Sequence, residues 1–276
     1  MTLIIPKKYR EESAIEECGK RSIGNVLLHQ SIYERSLVQN FEIGARWQMG
    51  ERVFRYAKSK GDLTDLNYPV INSHIIPDDG WEGAIVGTAV TGDKVITIAD
   101  TAVAAARPKN YYQGAYIQIY RDPGVAASVT NFDQQRRIIA STIGNGASIT
   151  LTLDYPLTCD VNATVDVYPS PYSEINKAAS VSSGEETFVG FASALLQTDE
   201  YGWVQTWGPV NGHYNIKFPG ENGPSDRDCY FIATGAIVTL LQSGSFVGKG
   251  YQRAGYVIPV TKSKYGSVFI QLQLSP

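Results

Sequence analysis

A chain of 276 residues that is 43% hydrophobic and 18% charged can bury a substantial core as one large or two ordinary globular domains. Its 17 tyrosines, 26 glycines and low charge favour aromatic strands and many tight turns. The formal net charge of -3 is uneven: residues 1–60 hold 11 of the 24 Lys and Arg but 7 of the 27 Asp and Glu, a basic segment on an acidic body.

Such a segment is most simply a solvated mixed surface, and otherwise a contact for nucleic acid or an acidic protein. Three distant cysteines, Cys18, Cys159 and Cys229, exclude a disulfide framework and a C-x-x-C metal pair, so reduced thiols are expected. The apolar run near Met1 is too short for a signal peptide, and no stretch of ~18 apolar residues spans a bilayer. Synthesis in the cytosol and no membrane partner are therefore expected. Asn162-Ala163-Thr164 matches a glycosylation sequon, which carries no weight without secretion.

In chain order, Ser13-Ala14-Ile15-Glu16 has capping-box spacing for a short helix, and Ile32, Tyr33, Leu37 and Phe41 stand near helical spacing over Ser31 to Asn40. The first segment is expected to be mixed and partly extended, packing on its own body or, as an arm, on a neighbour. Polar turn formers from Asp62 to Gly80 form a connector. Strands follow at Lys94 to Ile98, Ala115 to Tyr120 and Ser148 to Leu153, with Asn145-Gly146 as a hairpin turn.

After a polar break at Asn176 to Glu186, strand patterns cover Thr187 to Phe191, Trp203 to Trp207, Ala236 to Leu241 and Ser267 to Leu274. Asn211-Gly212 and Asn222-Gly223 read as turns. In the last strand Val268, Ile270, Leu272 and Leu274 share one face. The expected fold is mainly β: two small antiparallel barrels or sandwiches behind a mixed N-terminal segment. The expected division is 1–80 arm and connector, 81–176 first β unit and 185–276 second β unit.

Chemistry finds little purchase. His29, His74 and His213 lie outside any metal motif, and no nucleophile elbow, Walker loop or dinucleotide fingerprint occurs. Gly248-Lys249-Gly250 lacks a third glycine and reads as a turn or bulge. Glu221, Asp226 and Asp228 form a solvated loop or, failing that, oxygen ligands for calcium. Asp199-Glu200 are the acids that stand beside aromatics, next to Tyr201 and Trp203. No enzyme and no cofactor are expected.

In EYGWVQTWGPV, residues 200–210, a strand puts Trp203, Gln205 and Trp207 on one face. Tryptophans so placed serve as core or subunit contact, and otherwise as a sugar platform. Arg46, Arg52, Arg55, Lys58 and Lys60 interleave with Trp47, Phe54 and Tyr56. That pattern suits stacking on nucleic acid only weakly and equally suits a strand facing a protein partner, so nucleic acid is not an expected partner.

GARWQMGERVFRYAKSKGDL, residues 44–63, is similar to the G-x-x-V-F-x-Y-A motif of tailed-phage virion structural proteins of the head decoration or minor capsid type. Gly114-Ala115-Tyr116, Arg137-Ile138-Ile139, Leu151 to Leu157 and Tyr168 to Tyr172 follow in the same order. So do Phe188 to Phe191, Tyr201 to Gly208, Val247-Gly248 and Val268 to Leu274. The resemblance covers residues 44–276 in patches, and its motifs are structural rather than catalytic.

It implies a protein of the virion exterior, bound to the major capsid protein lattice as a homo-oligomer, a trimer being favoured, and stabilising the shell. The unit at 81–176 is an addition to the compact decoration pattern, so a tail, baseplate or receptor-binding role with aromatics such as Trp81, Trp203 and Trp207 on host glycans is the alternative. The residues expected at capsid or subunit contacts are Trp47, Arg52, Phe54, Arg55, Tyr56, Trp203 and Trp207.

Overall fold

The computed structural model describes residues 30–66, 68–72, 81–86, 89–99, 108–120, 132–144, 147–161, 164–178, 187–213, 227–232, 235–239, 252–258 and 267–276. Its strands in chain order are β1 (Arg46–Met49), β2 (Arg52–Lys58), β3 (Pro69–Asn72), β4 (Trp81–Ala84), β5 (Val95–Ala99), β6 (Tyr116–Tyr120), β7 (Phe132–Ser141) and β8 (Ser148–Leu153). They continue with β9 (Thr164–Tyr168), β10 (Ile175–Lys177), β11 (Phe188–Ala192), β12 (Tyr201–His213), β13 (Asp228–Phe231), β14 (Ile237–Thr239), β15 (Arg253–Val257) and β16 (Ser267–Gln273). The mainly β reading is thus met, with two antiparallel sheets.

The units are not three consecutive pieces. One is built from Met1–Ser73 together with Glu174–Pro276, and His74–Ser173 forms a second unit inserted between them. Of the two alternatives for the N-terminal segment, strands β1 and β2 follow the first and pack on the body, β2 lying antiparallel to β12 in the sheet of the C-terminal half. Burial goes with it: Val53, Phe54, Tyr56 and Ala57 are each no more than 3% exposed, so β2 is covered on both faces, and its two edges are filled by β1 and β12. The insertion leaves after β3 and returns at β10, which pair with each other through Asn72 and Ile175.

In the inserted unit the strand order is β4-β9-β6-β7-β8-β5, and the end strands meet at an Ile85–Ile98 bridge backed by Val86 N donating to Thr97 O at 2.8 Å. Strict alternation drives this: Ile96, Ile98, Ile117, Ile119, Ile149, Leu151, Val165 and Val167 point into one core while their neighbours point out. The Asn145-Gly146 turn lies outside the described residues, but the β7 and β8 strands on either side of it do pair antiparallel.

In the other unit the main path is β10-β3-β11-β12-β16-β15-β13-β14, with β2 on β12 and β1 on β2. Its core gathers Phe188, Phe191, Phe231, Ile237, Ile270 and Leu272, with Phe188 and Phe231 stacked at 4.4 Å. The side chain of Gln252 clips this core to the backbone, taking Phe188 N at 2.8 Å and giving Nε2 to Phe188 O at 2.7 Å. Ile270 and Leu272 are buried and Phe269 is exposed, as the period of the last strand requires.

Two local expectations are corrected. Ser31 to Asn40 is not helical: a turn closes from Glu34 N to Ser31 O at 3.0 Å, and Ser36 exchanges both backbone bonds with Tyr201. Extended pairing to β12 satisfies that backbone where a helix would leave its ends open. Asn211-Gly212 is no turn but continues β12 opposite Phe269 and Val268. A Cβ at position 212 would meet Ile237 Cδ1, the movable end of that side chain. The Ser13 to Glu16 cap, Asn222-Gly223 and Gly248 to Gly250 lie outside the described residues.

Candidate binding surfaces

All seven residues singled out in the sequence converge on the three strands β1, β2 and β12. Trp47 lies opposite Phe54, Met49 opposite Arg52, and Arg46 opposite Arg55. On the other flank of β2, Trp203 faces Tyr56, Gln205 faces Phe54, and a register shift brings Trp207 to Val53. Gly208 permits that shift, since its φ is +94° and an added Cβ would sit 2.5 Å from Glu51 O.

Trp203 is the centre of an aromatic cluster and is fully buried. The rings of Trp47, Tyr56 and Phe41 each stand 5.1 Å from it, Trp47 and Tyr56 in the edge-to-face arrangement favoured by ring quadrupoles and Phe41 tilted at 54°. Its indole Nε1 donates to Gln30 O at 3.2 Å. The question posed by the paired tryptophans is thereby divided: Trp203 is core, whereas Trp207 is half-buried.

Gln30 ties this cluster shut. Only 3% exposed, it donates Nε2 to Glu34 O at 3.0 Å and Tyr201 O at 3.1 Å, and its Oε1 accepts from Tyr56 Oη at 2.8 Å and Asn40 Nδ2 at 3.0 Å. Both amide donors and both oxygen lone pairs are used. Burial pushes the Tyr56 phenol well above its ordinary range, slightly opposed by the Asn40 amide that donates to it.

Phe54, Tyr56 and Trp203 are at most 1% exposed, so they present no surface to a partner while these strands stay paired. Arg52 lies over the Phe54 ring at 5.4 Å and reaches Tyr33 Oη at 3.4 Å. Arg55 points to the chain end, donating Nη2 to Pro276 O at 2.9 Å and Ser275 Oγ at 3.2 Å. What the segment does expose was missed by the helical reading: Tyr33 at 63%, Leu37 at 76% and Val38 at 67%.

Acids near the aromatics are committed to cations or amides. Asp199 pairs with Lys58 at 2.7 Å. Glu200, 6% exposed, takes Gln197 N at 2.7 Å and Arg35 Nη1 at 3.3 Å. Asp228 pairs with Arg253 at 2.8 Å, while Glu221 and Asp226 lie outside the described residues, as do His29 and His74. Among the described residues no group of three or more His, Cys, Asp or Glu is placed to hold a metal ion, and no helix is long and apolar enough to cross a membrane.

A second surface lies on the inserted unit, where Tyr116 of β6 stands directly opposite Tyr168 of β9, 55% and 42% exposed. The Tyr168 phenol is held above its ordinary range by partial desolvation and by the neighbouring Asp166 carboxylate. No protein-family model matches the sequence, and neither a curated protein nor a solved structure shows significant similarity to it.

Proposed function

We propose that this chain is a virion structural protein that binds the outer surface of an assembled phage capsid as a decoration protein and stabilises the shell. The observation that supports it is the exposed apolar triplet Tyr33, Leu37 and Val38 on a segment fixed to the body by the Ser36–Tyr201 bridge and the Gln30 bonds. The backbone that carries these side chains is already ordered, so a partner that covers them orders side chains and not the chain path. The attachment residues move accordingly, from Phe54 and Tyr56, which are interior, to Tyr33, Leu37 and Val38, with Arg52 beside them.

The mechanism is mass action without a chemical step. A partner that binds only the assembled lattice stabilises it in proportion to occupancy, and a symmetric oligomer, a trimer in this reading, multiplies weak contacts. The test is loading of the chain onto purified empty shells, with Leu37→Asp/Val38→Asp as the variant. Both side chains are exposed, so stability stays within about 0.5 kcal/mol while loading is lost. Loading unchanged in that variant refutes the placement of the attachment surface, and no loading by the wild-type chain refutes the function.

A tail, baseplate or receptor-binding role is the second reading, favoured by the outward tyrosines of the inserted unit. Trp203 takes no part in it, being interior.

A further inference from the structure

Strands β9, β6 and β7 alternate core and surface residues, so the inward set Val165, Val167, Ile117 and Ile119 forces the intervening side chains outward. The outward residues fall into rows across the strands. Tyr168, Tyr116 and Arg137 make one row, since Tyr116 is the partner of both others. Asp154 extends it, its Oδ1 accepting Arg137 N at 3.0 Å and the backbone N of Tyr155 at 2.9 Å. Asp166, Gln118 and Gln135 make the adjacent row, and Tyr120 Oη donates to Asp166 Oδ2 at 2.7 Å, fixing the carboxylate.

We infer that this outer sheet face binds a neutral saccharide, with sugar rings lying on Tyr168 and Tyr116 and their hydroxyls meeting Asp166, Gln118 and Gln135. Neighbouring strands are about 4.8 Å apart and successive outward residues about 6.7 Å, so a pyranose seated on one tyrosine carries its hydroxyl edge to the carboxylate and amide row. Phenol rings match the apolar face of a sugar. A carboxylate accepts from hydroxyls, and amides both donate and accept.

Charge argues against an anionic ligand. The rows hold the carboxylates Asp166 and Asp154 against one guanidinium, Arg137, and Glu82 of β4 is the register partner of Asp166, so no positive field draws in a nucleic acid or a sulfated polymer. An extended protein interface would centre on a fully desolvated apolar patch, whereas here each exposed ring has its own hydroxyl and polar neighbours. The site does not depend on capsid attachment, because its residues all belong to the inserted unit.

The test uses the full chain, free in solution, on an array of immobilised neutral hexose and N-acetylhexosamine oligosaccharides, with heparin as the anionic comparison. Binding to at least one neutral oligosaccharide is expected. Tyr116→Ala and Tyr168→Ala should each weaken it about tenfold or more, as expected for a stacking anchor. Asp166→Asn should weaken it too, while Val95→Ala, at an exposed site on β5, leaves it unchanged. Asp166→Asn keeps the side-chain shape and Tyr116 and Tyr168 are surface residues, so unchanged urea midpoints accompany the loss. Silence toward every neutral oligosaccharide, binding to heparin alone, or binding indifferent to both tyrosine substitutions would overturn the inference. Shell loading is measured separately and decides only the decoration reading.

Discussion

Gln30→Ala strikes the N-terminal closure at its most connected point. The substitution removes four side-chain hydrogen bonds, to Glu34 O, Tyr201 O, Tyr56 Oη and Asn40 Nδ2. It also strands the Tyr56 hydroxyl proton, because Tyr56 is fully buried and its other bond is one it accepts, from Asn40 N. Net hydrogen-bond losses near 0.5 kcal/mol each plus one orphaned buried donor give a destabilisation of about 3 kcal/mol. Tyr56→Phe removes the phenol partner and should cost about 1.5 kcal/mol.

Because both variants break the Gln30–Tyr56 bond, the double variant should fall short of the sum by about 1 kcal/mol. Urea unfolding followed by tryptophan fluorescence reads this, since Trp47, Trp203 and Trp207 all lie in the unit concerned. Strict additivity, or a Gln30→Ala cost below about 1 kcal/mol, would refute the idea that the network closes the segment. The same pair carries an alkaline signature. Above the ordinary tyrosine range the unfolded chain loses the Tyr56 proton while the folded chain keeps it, so stability falls as pH rises. In Tyr56→Phe this loss should be smaller.

Trp203→Ala should cost about 4 kcal/mol as a cavity in a fully packed aromatic cluster, and Trp207→Ala much less, because that ring is half-buried; comparable urea midpoints would contradict the division of roles. Gly208→Ala should destabilise by about 2 kcal/mol or more, its positive φ and the close approach of Glu51 O both opposing a side chain, measurable as a lowered thermal midpoint. Asp160 is held below the usual carboxylate value by the amide and hydroxyl of Thr91. The stability it contributes is present above about pH 4 and lost as pH falls through its folded value. Thr91→Val should move its NMR titration upward, and an unmoved titration would reject the assignment.

The fold class was legible because strand periodicity survives in single segments: Ala115 to Tyr120 and Ser148 to Leu153 alternate so strictly that their inner and outer residues follow from position alone. Register and connectivity were not legible. Nothing within GERVFRYAKSK states that its partner lies some 145 residues later at Trp203, because a strand buried on both faces carries no directional pattern. Ser31 to Phe41 misled for a related reason, since Ile32 and Phe41 face inward from an irregular path that merely imitates helical spacing. Gln30 gave no signal, as a lone glutamine ordinarily sits in solvent. The Asn211-Gly212 turn failed because the pair lies within the long strand β12, whose continuation past Trp207 is set by pairing with β16 and not by local residue type.

The central claim is attachment to an assembled shell, and the most direct measurement is mass photometry of the purified chain with and without empty capsids from the same genome. The account predicts a discrete oligomer, a trimer, that saturates the shells and stops loading in Leu37→Asp/Val38→Asp. A wild-type chain that remains free in the presence of intact shells would contradict it.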